Sequence, residues 1–172
     1  LLPDTAKKAL FQTNENLDKQ INYGLNLNAP VTLSKWWSSS NNILAYYLGF
    51  RSSDLRGQDL NSGKVAFQVN SQHKFSINKT LSAELMADYR SPIEYGTLKI
   101  SSQYGIDLGI SKTLLNKRAN IKFALSDIFD TRRQTITSAY TGLNYNLEQK
   151  NETRIGRLSL SYRFGKTEIK PE

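Results

Sequence analysis

The chain has 172 residues, 38% of them apolar, and a mean hydropathy of -0.51; no window approaches the ~18 consecutive apolar residues of a transmembrane helix, so any membrane role must use strands. Its net charge is +8, but Lys and Arg are scattered along the chain, which argues against a nucleic-acid partner. Cys is absent, which excludes thiol catalysis, disulfides and thiolate metal sites.

The first part of the chain has no regular pattern. Residues 1–14 carry neither an initiator Met nor the apolar core of a secretory signal, and we predict an irregular leading segment there. A short helix over residues 5–11 is the regular element that this segment could form. We expect β-barrel strands over residues 15–164 and a charged tail over residues 165–172.

From Leu17 onward, apolar residues recur at every second position, which is the period of a strand with two different faces. This alternation predicts seven long antiparallel strands, over residues 17–29, 36–50, 65–77, 81–89, 98–110, 119–129 and 156–164. Pro30 is expected to end the first strand. Residues 130–152 are predicted to form a long polar loop, within which Leu143, Tyr145 and Leu147 alternate as if a hairpin continued above the sheet.

The predicted connections alternate between short turns, after strands one, three and five, and longer loops, after strands two, four and six. Outer-membrane barrels have the same asymmetry, with short periplasmic turns and longer extracellular loops. Several strands reach ten residues, whereas about five or six is usual in globular proteins. The pattern therefore predicts an all-β, antiparallel, up-and-down transmembrane β-barrel segment of about seven strands.

The predicted faces differ in the way that a barrel wall requires. Asn, Gln, Ser, Lys and Gly dominate the polar faces, as expected for a wet lumen, and aromatic residues lie near the strand ends of the apolar faces. We predict two membrane girdles. They comprise Trp36, Trp37, Phe75, Tyr162 and Phe164 at the short-turn side, and Phe50, Tyr89 and Phe129 at the loop side.

Three runs of residues resemble the C-terminal barrel strands of TonB-dependent receptors, and they are most similar to the outer-membrane β-barrel group common in Bacteroidota. The runs are YGIDLGISK at 104–112, ALSDIFDT at 124–131 and RLSLSYRFGK at 157–166. The resemblance implies nutrient uptake across the bacterial outer membrane, without enzymatic activity or a cofactor. It implies outer-membrane lipid as a partner, and the TonB system through a plug domain, which no part of this chain resembles.

The closing strand is also similar to the insertion signal that the barrel-assembly machinery reads. Its apolar face ends in an aromatic residue and comprises Gly156, Leu158, Leu160, Tyr162 and Phe164. This chain departs from the usual form because residues 165–172 follow the aromatic residue.

Strand parity leads to an expectation about completeness. If Phe164 is periplasmic, the first and the seventh strands both run inward, whereas complete single-chain barrels have an even strand number and periplasmic termini. Parity therefore predicts that earlier strands are missing. The resemblance to TonB-dependent receptors, whose barrels have 22 strands, implies that this chain is about the last third of such a barrel.

Two alternatives stay open on the sequence. One is a self-contained eight-stranded outer-membrane barrel, an adhesin or structural protein, if residues 1–14 hold an eighth strand. The other is a soluble lipocalin-like binder or sandwich, whose leucines would face a common core. Pairing between the first and last strands, and the face that carries the leucines, distinguish these possibilities.

The residues offer little catalytic chemistry. His73 is the only histidine, and we expect it to be structural rather than a metal ligand or a catalytic base. Asp127 and Asp130 could act as paired carboxylates, but a structural role is favoured, in which Asp130 turns the chain and Asp127 faces the headgroup zone or a neighbouring Arg. Arg132 and Arg133 could pair with these aspartates or with anionic outer-leaflet lipid, and pairing with the aspartates is expected. We predict no catalytic, cofactor or metal site, and expect ligand capture in the loops at 52–64 and 130–152.

Overall fold

The computed structural model describes residues 2–4, 7, 9–11, 16–55, 57–140 and 143–165. Most of the predicted charged tail, and part of the predicted helix, lie outside these residues. Within them, no helix has the length and apolar character needed to cross a membrane. The strands are β1 (Leu2–Asp4), β2 (Ala9–Phe11), β3 (Lys19–Ser34), β4 (Trp37–Ser52), β5 (Leu60–Ser76), β6 (Leu81–Arg90), β7 (Ile93–Tyr95), β8 (Leu98–Ile100), β9 (Gln103–Leu114), β10 (Ala119–Leu125), β11 (Arg133–Tyr140), β12 (Leu143–Lys150) and β13 (Gly156–Tyr162).

Seven strands form one antiparallel sheet, in the order β13-β10-β9-β6-β5-β4-β3. Each strand pairs with its neighbours along the main sheet, so the predicted up-and-down fold of seven long strands is confirmed. Strands β3 and β13 form the two edges, and they do not pair with each other in the described part of the chain. The described sheet is therefore open.

The N-terminal residues correct one prediction. Strands β1 and β2 pair antiparallel with each other as a separate two-stranded sheet, instead of forming an irregular segment or a helix. Each strand has only three residues, too few for an alternation of apolar and polar positions to be recognised in the sequence. Neither strand joins the seven-stranded sheet, so the structure does not support the eight-stranded alternative.

Several strand boundaries also differ from the predictions. Strand β4 extends to Ser52 and β5 begins at Leu60, because the two strands stay paired to that point, so the predicted loop at 52–64 is reduced to residues 53–59. Strand β3 continues through Pro30 to Ser34, which is tolerated because β3 is an edge strand that pairs only with β4. Strand β10 ends at Leu125 rather than at residue 129, because Asp127 adopts a left-handed φ of +46° that a strand cannot accommodate. Residues 98–100 leave the main sheet as β8, and β9 begins at Gln103.

The connections alternate in length as predicted. Short turns at 35–36, 77–80 and 115–118 lie at one end of the sheet, and long connections at 53–59, 91–102 and 126–155 lie at the other. The last two long connections contain β7, β8, β11 and β12, which form a four-stranded sheet in the order β12-β11-β8-β7. We call it the loop-side sheet.

The two faces of the main sheet follow from the register, because directly paired residues of antiparallel strands share a face. One face is largely apolar and carries most of the leucines, including Leu25, Leu27, Leu158 and Leu160, which are 52–74% exposed, whereas Leu44 and Leu48 lie on the polar face. In the described residues, the buried apolar side chains are Phe50, Leu60, Ala66 and Ala119. The leucines of the apolar face therefore pack against no common core, which contradicts the soluble alternative.

Candidate functional site

The predicted girdle residues of the short-turn end form two groups, one at β4 and β5 and the other at the end of β13. The ring centroids of Trp36, Trp37 and Phe75 are 5.7–6.1 Å apart, and those of Tyr162 and Phe164 are 4.6 Å apart. On β13 the apolar partners across the ladder are Leu125 for Gly156, Phe123 for Leu158, Ile121 for Leu160 and Ala119 for Tyr162. Phe164 follows the end of that strand.

At the loop end, two of the predicted girdle residues are placed elsewhere. Phe50 lies on the polar face, because the opposite face of β4 pairs with the apolar residues of β3; it is 3% exposed and packs edge-on against Tyr95. Phe129 lies in the loop after β10 rather than on a strand, and it is exposed. Tyr89 does lie on the apolar face, where its ring centroid is 5.4 Å from that of Phe67.

Three aromatic residues of the apolar face were missing from the predicted loop-end girdle. Tyr23 and Tyr47 stack at 5.2 Å, and Tyr104 pairs directly with Tyr89 across β9 and β6. The sequence of a single strand does not show that these residues lie near the loop end. The register between neighbouring strands does show it, and it is the signal that could have identified them.

A small polar network interrupts the apolar face on β4 and β5. Trp37 Nε1 donates to His73 Nδ1 at 3.1 Å, and Ser71 Oγ lies 3.0 Å from His73 Nε2. Ser71 Oγ donates to Asn41 Oδ1 at 2.6 Å, and Asn41 Nδ2 donates to Ser39 Oγ at 2.8 Å. The network pairs its polar groups with one another on a face that is otherwise apolar.

The histidine tautomer follows from this arrangement. An indole N–H can only donate, so Nδ1 of His73 accepts and the proton of the neutral ring lies on Nε2. Nε2 then donates to Ser71, whose own proton goes to Asn41. A serine activated by histidine needs the reverse arrangement, with an unprotonated Nε2 accepting from the hydroxyl.

The polar face carries a charged cluster around Arg132. Its guanidinium donates to Asp107 Oδ1 at 2.8 Å and to Asp88 Oδ1 at 2.5 Å, bridging β9 and β6. It lies over Gly105, where a Cβ atom would collide with it. The hydrogen bond to Asp107 is the main cause that raises the pKa of Arg132, so the cation is permanent.

Asp127 organises the loop that carries Arg132. It is completely buried, and its carboxylate accepts hydrogen bonds from the backbone N–H and the hydroxyl of Thr131, the backbone N–H of Arg132 and the hydroxyl of Thr153. Burial acts against ionisation, but these hydrogen bonds outweigh it and lower the pKa of Asp127 to about 2. The carboxylate therefore has a structural role as the acceptor that closes the loop.

Asp130 turns the chain with a left-handed φ of +56° and pairs with Lys150 at 2.5 Å. The hydrogen bond from Lys150 lowers the pKa of Asp130. The guanidinium of Arg133 donates to the backbone oxygen of Asp130 at 3.4 Å. The predicted turning role of Asp130 is what the structure shows. Asp127 does not face the headgroup zone, because it is buried, and the guanidinium of Arg132 pairs with Asp88 and Asp107 instead of with either aspartate of its own loop.

A cleft opens at the loop end, between β5 and the loop-side sheet, and we call it the loop-side cleft. Its volume is about 590 Å³. Its lining comprises Leu60, Ser62, Gly96, Thr97, Lys99, Thr137, Ser138, Asn144, Tyr145 and Asn146. It includes parts of both loops in which ligand capture was predicted. In the described residues, no three His, Asp or Glu side chains are grouped to hold a metal ion.

The main sheet is an antiparallel meander with one polar face and one exposed apolar face. Aromatic residues lie near both ends of its strands, and its short and long connections lie at opposite ends. These features are typical of the wall of an outer-membrane β-barrel. Residues 2–162 match the outer membrane protein beta-barrel family, and the chain belongs to that family. The protein is accordingly located in the bacterial outer membrane. Searches of curated proteins and of solved structures found no match.

Proposed function

We propose that this chain is the C-terminal part of the barrel of a TonB-dependent-type receptor, of the kind common in Bacteroidota, which takes up a nutrient across the outer membrane. The observation that carries the proposal is the open seven-stranded sheet with one polar and one apolar face. Unpaired strand edges are not tolerated in lipid, so β3 and β13 need further strands to complete the wall.

The apolar face contacts lipid in this proposal, and the polar face lines the lumen that a plug domain fills. The barrel-assembly machinery inserts the wall through the closing strand β13, and the TonB system drives opening through the plug. The loop-side sheet stands where a ligand would arrive first, and its cleft supplies a place to hold it. The chain has no nucleic-acid partner in this proposal.

The proposed action is non-enzymatic. The hydrogen bonding of His73 supports this, because its Nε2 proton faces Ser71 and leaves no base for a nucleophile. The buried carboxylate of Asp127 supports it too, since four hydrogen bonds within its own loop hold it away from any substrate.

The test measures growth on a panel of nutrients supplied at limiting concentration. It compares cells that produce the intact protein with cells that lack its gene, and with cells that lack TonB. We expect a growth defect on at least one nutrient in both deletion strains, because uptake needs both the receptor and its energy source. A defect that appears without the protein but not without TonB would point to a passive pore and overturn the proposal.

A further inference from the structure

The loop-side cleft contains a group of polar side chains without hydrogen-bond partners. In the described structure, the side chains of Thr137, Asn144 and Asn146 make no hydrogen bond, whereas Ser62 Oγ, in the same lining, donates to the backbone oxygen of Gly96 at 2.9 Å.

These three side chains share one face of the loop-side sheet with Lys99, because Lys99 pairs with Thr137, Thr137 with Asn146 and Ala139 with Asn144 across the ladders. Ser138, which is 6% exposed, and its partner Tyr145 lie on the opposite face. The free donors and acceptors of the first face are suited to a ligand with several hydroxyl groups.

The described lining of the cleft contains one charged residue, Lys99. Glu94 faces Lys99 across the pair of β7 and β8, but the two side chains form no ion pair within the described residues. The ammonium group is therefore available to a negative charge on a ligand.

We propose that the loop-side cleft binds a small ligand with several hydroxyl groups and one carboxylate, with Lys99 as the counter-ion. The proposal rests on the proposed function, because a receptor would capture its ligand at this end of the barrel. A single ammonium matches a single negative charge, and about 590 Å³ is within the usual size of ligand sites.

The experiment titrates the purified full-length protein, in detergent micelles, with D-glucuronate and D-glucose by ligand-observed NMR. The two probes have nearly the same hydroxyl groups and differ in the carboxylate. We expect glucuronate to bind about tenfold more tightly than glucose, because a hydrogen bond between charged groups is stronger than a neutral one. Lys99→Met should remove this preference, so that the two probes bind with equal affinity.

Two further variants make the test specific. Lys79→Met changes an exposed lysine in a short turn at the opposite end of the sheet, and it should leave both affinities unchanged. Asn146→Ala removes an exposed amide of the cleft, and it should weaken both probes by the same factor. Equal affinities of the wild type for the two probes, or a full preference in Lys99→Met, would overturn the inference.

The outcomes also separate this inference from the proposed function. Binding in micelles is an equilibrium that needs no TonB, so a preference that depends on Lys99 would support the cleft even if uptake were independent of TonB. Conversely, uptake that depends on TonB, combined with equal binding of the two probes, would overturn the ligand class and leave the proposed function in place.

Discussion

Replacement of Asp127 by Asn should loosen the loop of residues 126–132 and leave the seven-stranded sheet intact. The buried carboxylate accepts four hydrogen bonds, two at each oxygen, whereas an Asn side chain has one acceptor oxygen and an NH₂ group. Two donors therefore lose their acceptor. At about 1.5–3 kcal/mol for each hydrogen bond to a charged group, the variant loses about 3 kcal/mol at the lower limit.

The backbone does not complicate this comparison, because Asn tolerates the left-handed φ of +46° as well as Asp does. The assay is hydrogen exchange followed by mass spectrometry, which reports local opening of the loop. A loss of about 3 kcal/mol corresponds to roughly hundredfold faster exchange of the loop amides.

The matched control is Asp130→Asn. Asp130 also has a left-handed φ, but its ion pair with Lys150 is solvent-exposed, so its loss should change exchange only slightly. If Asp127→Asn exchanged like the wild type, or if Asp130→Asn had an equal effect, the role assigned to the buried carboxylate would be wrong.

Three other predictions use the same protein. Because the pKa of Asp127 is lowered from 3.8 to about 2, loop protection should be constant above about pH 4 and be lost as the pH falls toward 2, and hydrogen exchange in Asp127→Asn should lack this dependence. Gly105→Ala should displace the guanidinium that covers it and speed exchange of the same loop; Gly109→Ala, whose Cβ would meet no atom closer than 3.6 Å, should not. Ser71→Ala should reduce the free energy of unfolding in detergent by about 1–3 kcal/mol, because it leaves two partners of the polar network unpaired. Chemical denaturation measures this change, and an equal loss of unfolding free energy in the exposed-site variant Ser159→Ala would contradict the prediction.

The alternation of apolar and polar residues predicted the main sheet well, because each strand borders one apolar and one polar medium along its length. The pattern could not say which sheet a strand joins. Residues 98–110 alternate almost without a break, yet the chain leaves one sheet at Ile100 and enters the other at Gln103. That break depends on the pairing of β8 with β11, which lies far along the chain.

The error at Phe50 has a different origin. Residues 43–50 are apolar on both faces of β4, so the period alone cannot tell which face is outward. Only the register with β3, in which Tyr47 meets Tyr23, assigns Phe50 to the polar side. Aromatic residues near strand ends were therefore predicted more reliably where one face was clearly polar, as on β13.

The charged cluster and the loop-side cleft could not be predicted from local patterns. Arg132 is 25 residues from Asp107 and 44 residues from Asp88 along the chain, and no spacing rule links positions that distant. The hydrogen bonds inside the loop at 126–132 were foreseeable in part, since Asp127 and Thr131 are close in sequence. The position of Arg132 over β6 and β9, to which that loop directs it, was not foreseeable.

The length of the central strands has a consequence for where the loop-side sheet stands. Strand β4 has 16 residues, so it is about 53 Å long at the usual rise per residue. At the tilt of barrel strands, this length corresponds to a height of about 38 Å along the barrel axis, whereas the apolar band of such walls is about 25 Å tall. The row of Lys19, Arg51 and Asn61 closes the apolar face at the loop end. In the proposed receptor, the wall therefore forms a collar above the bilayer, and the cleft is reached directly from the aqueous phase.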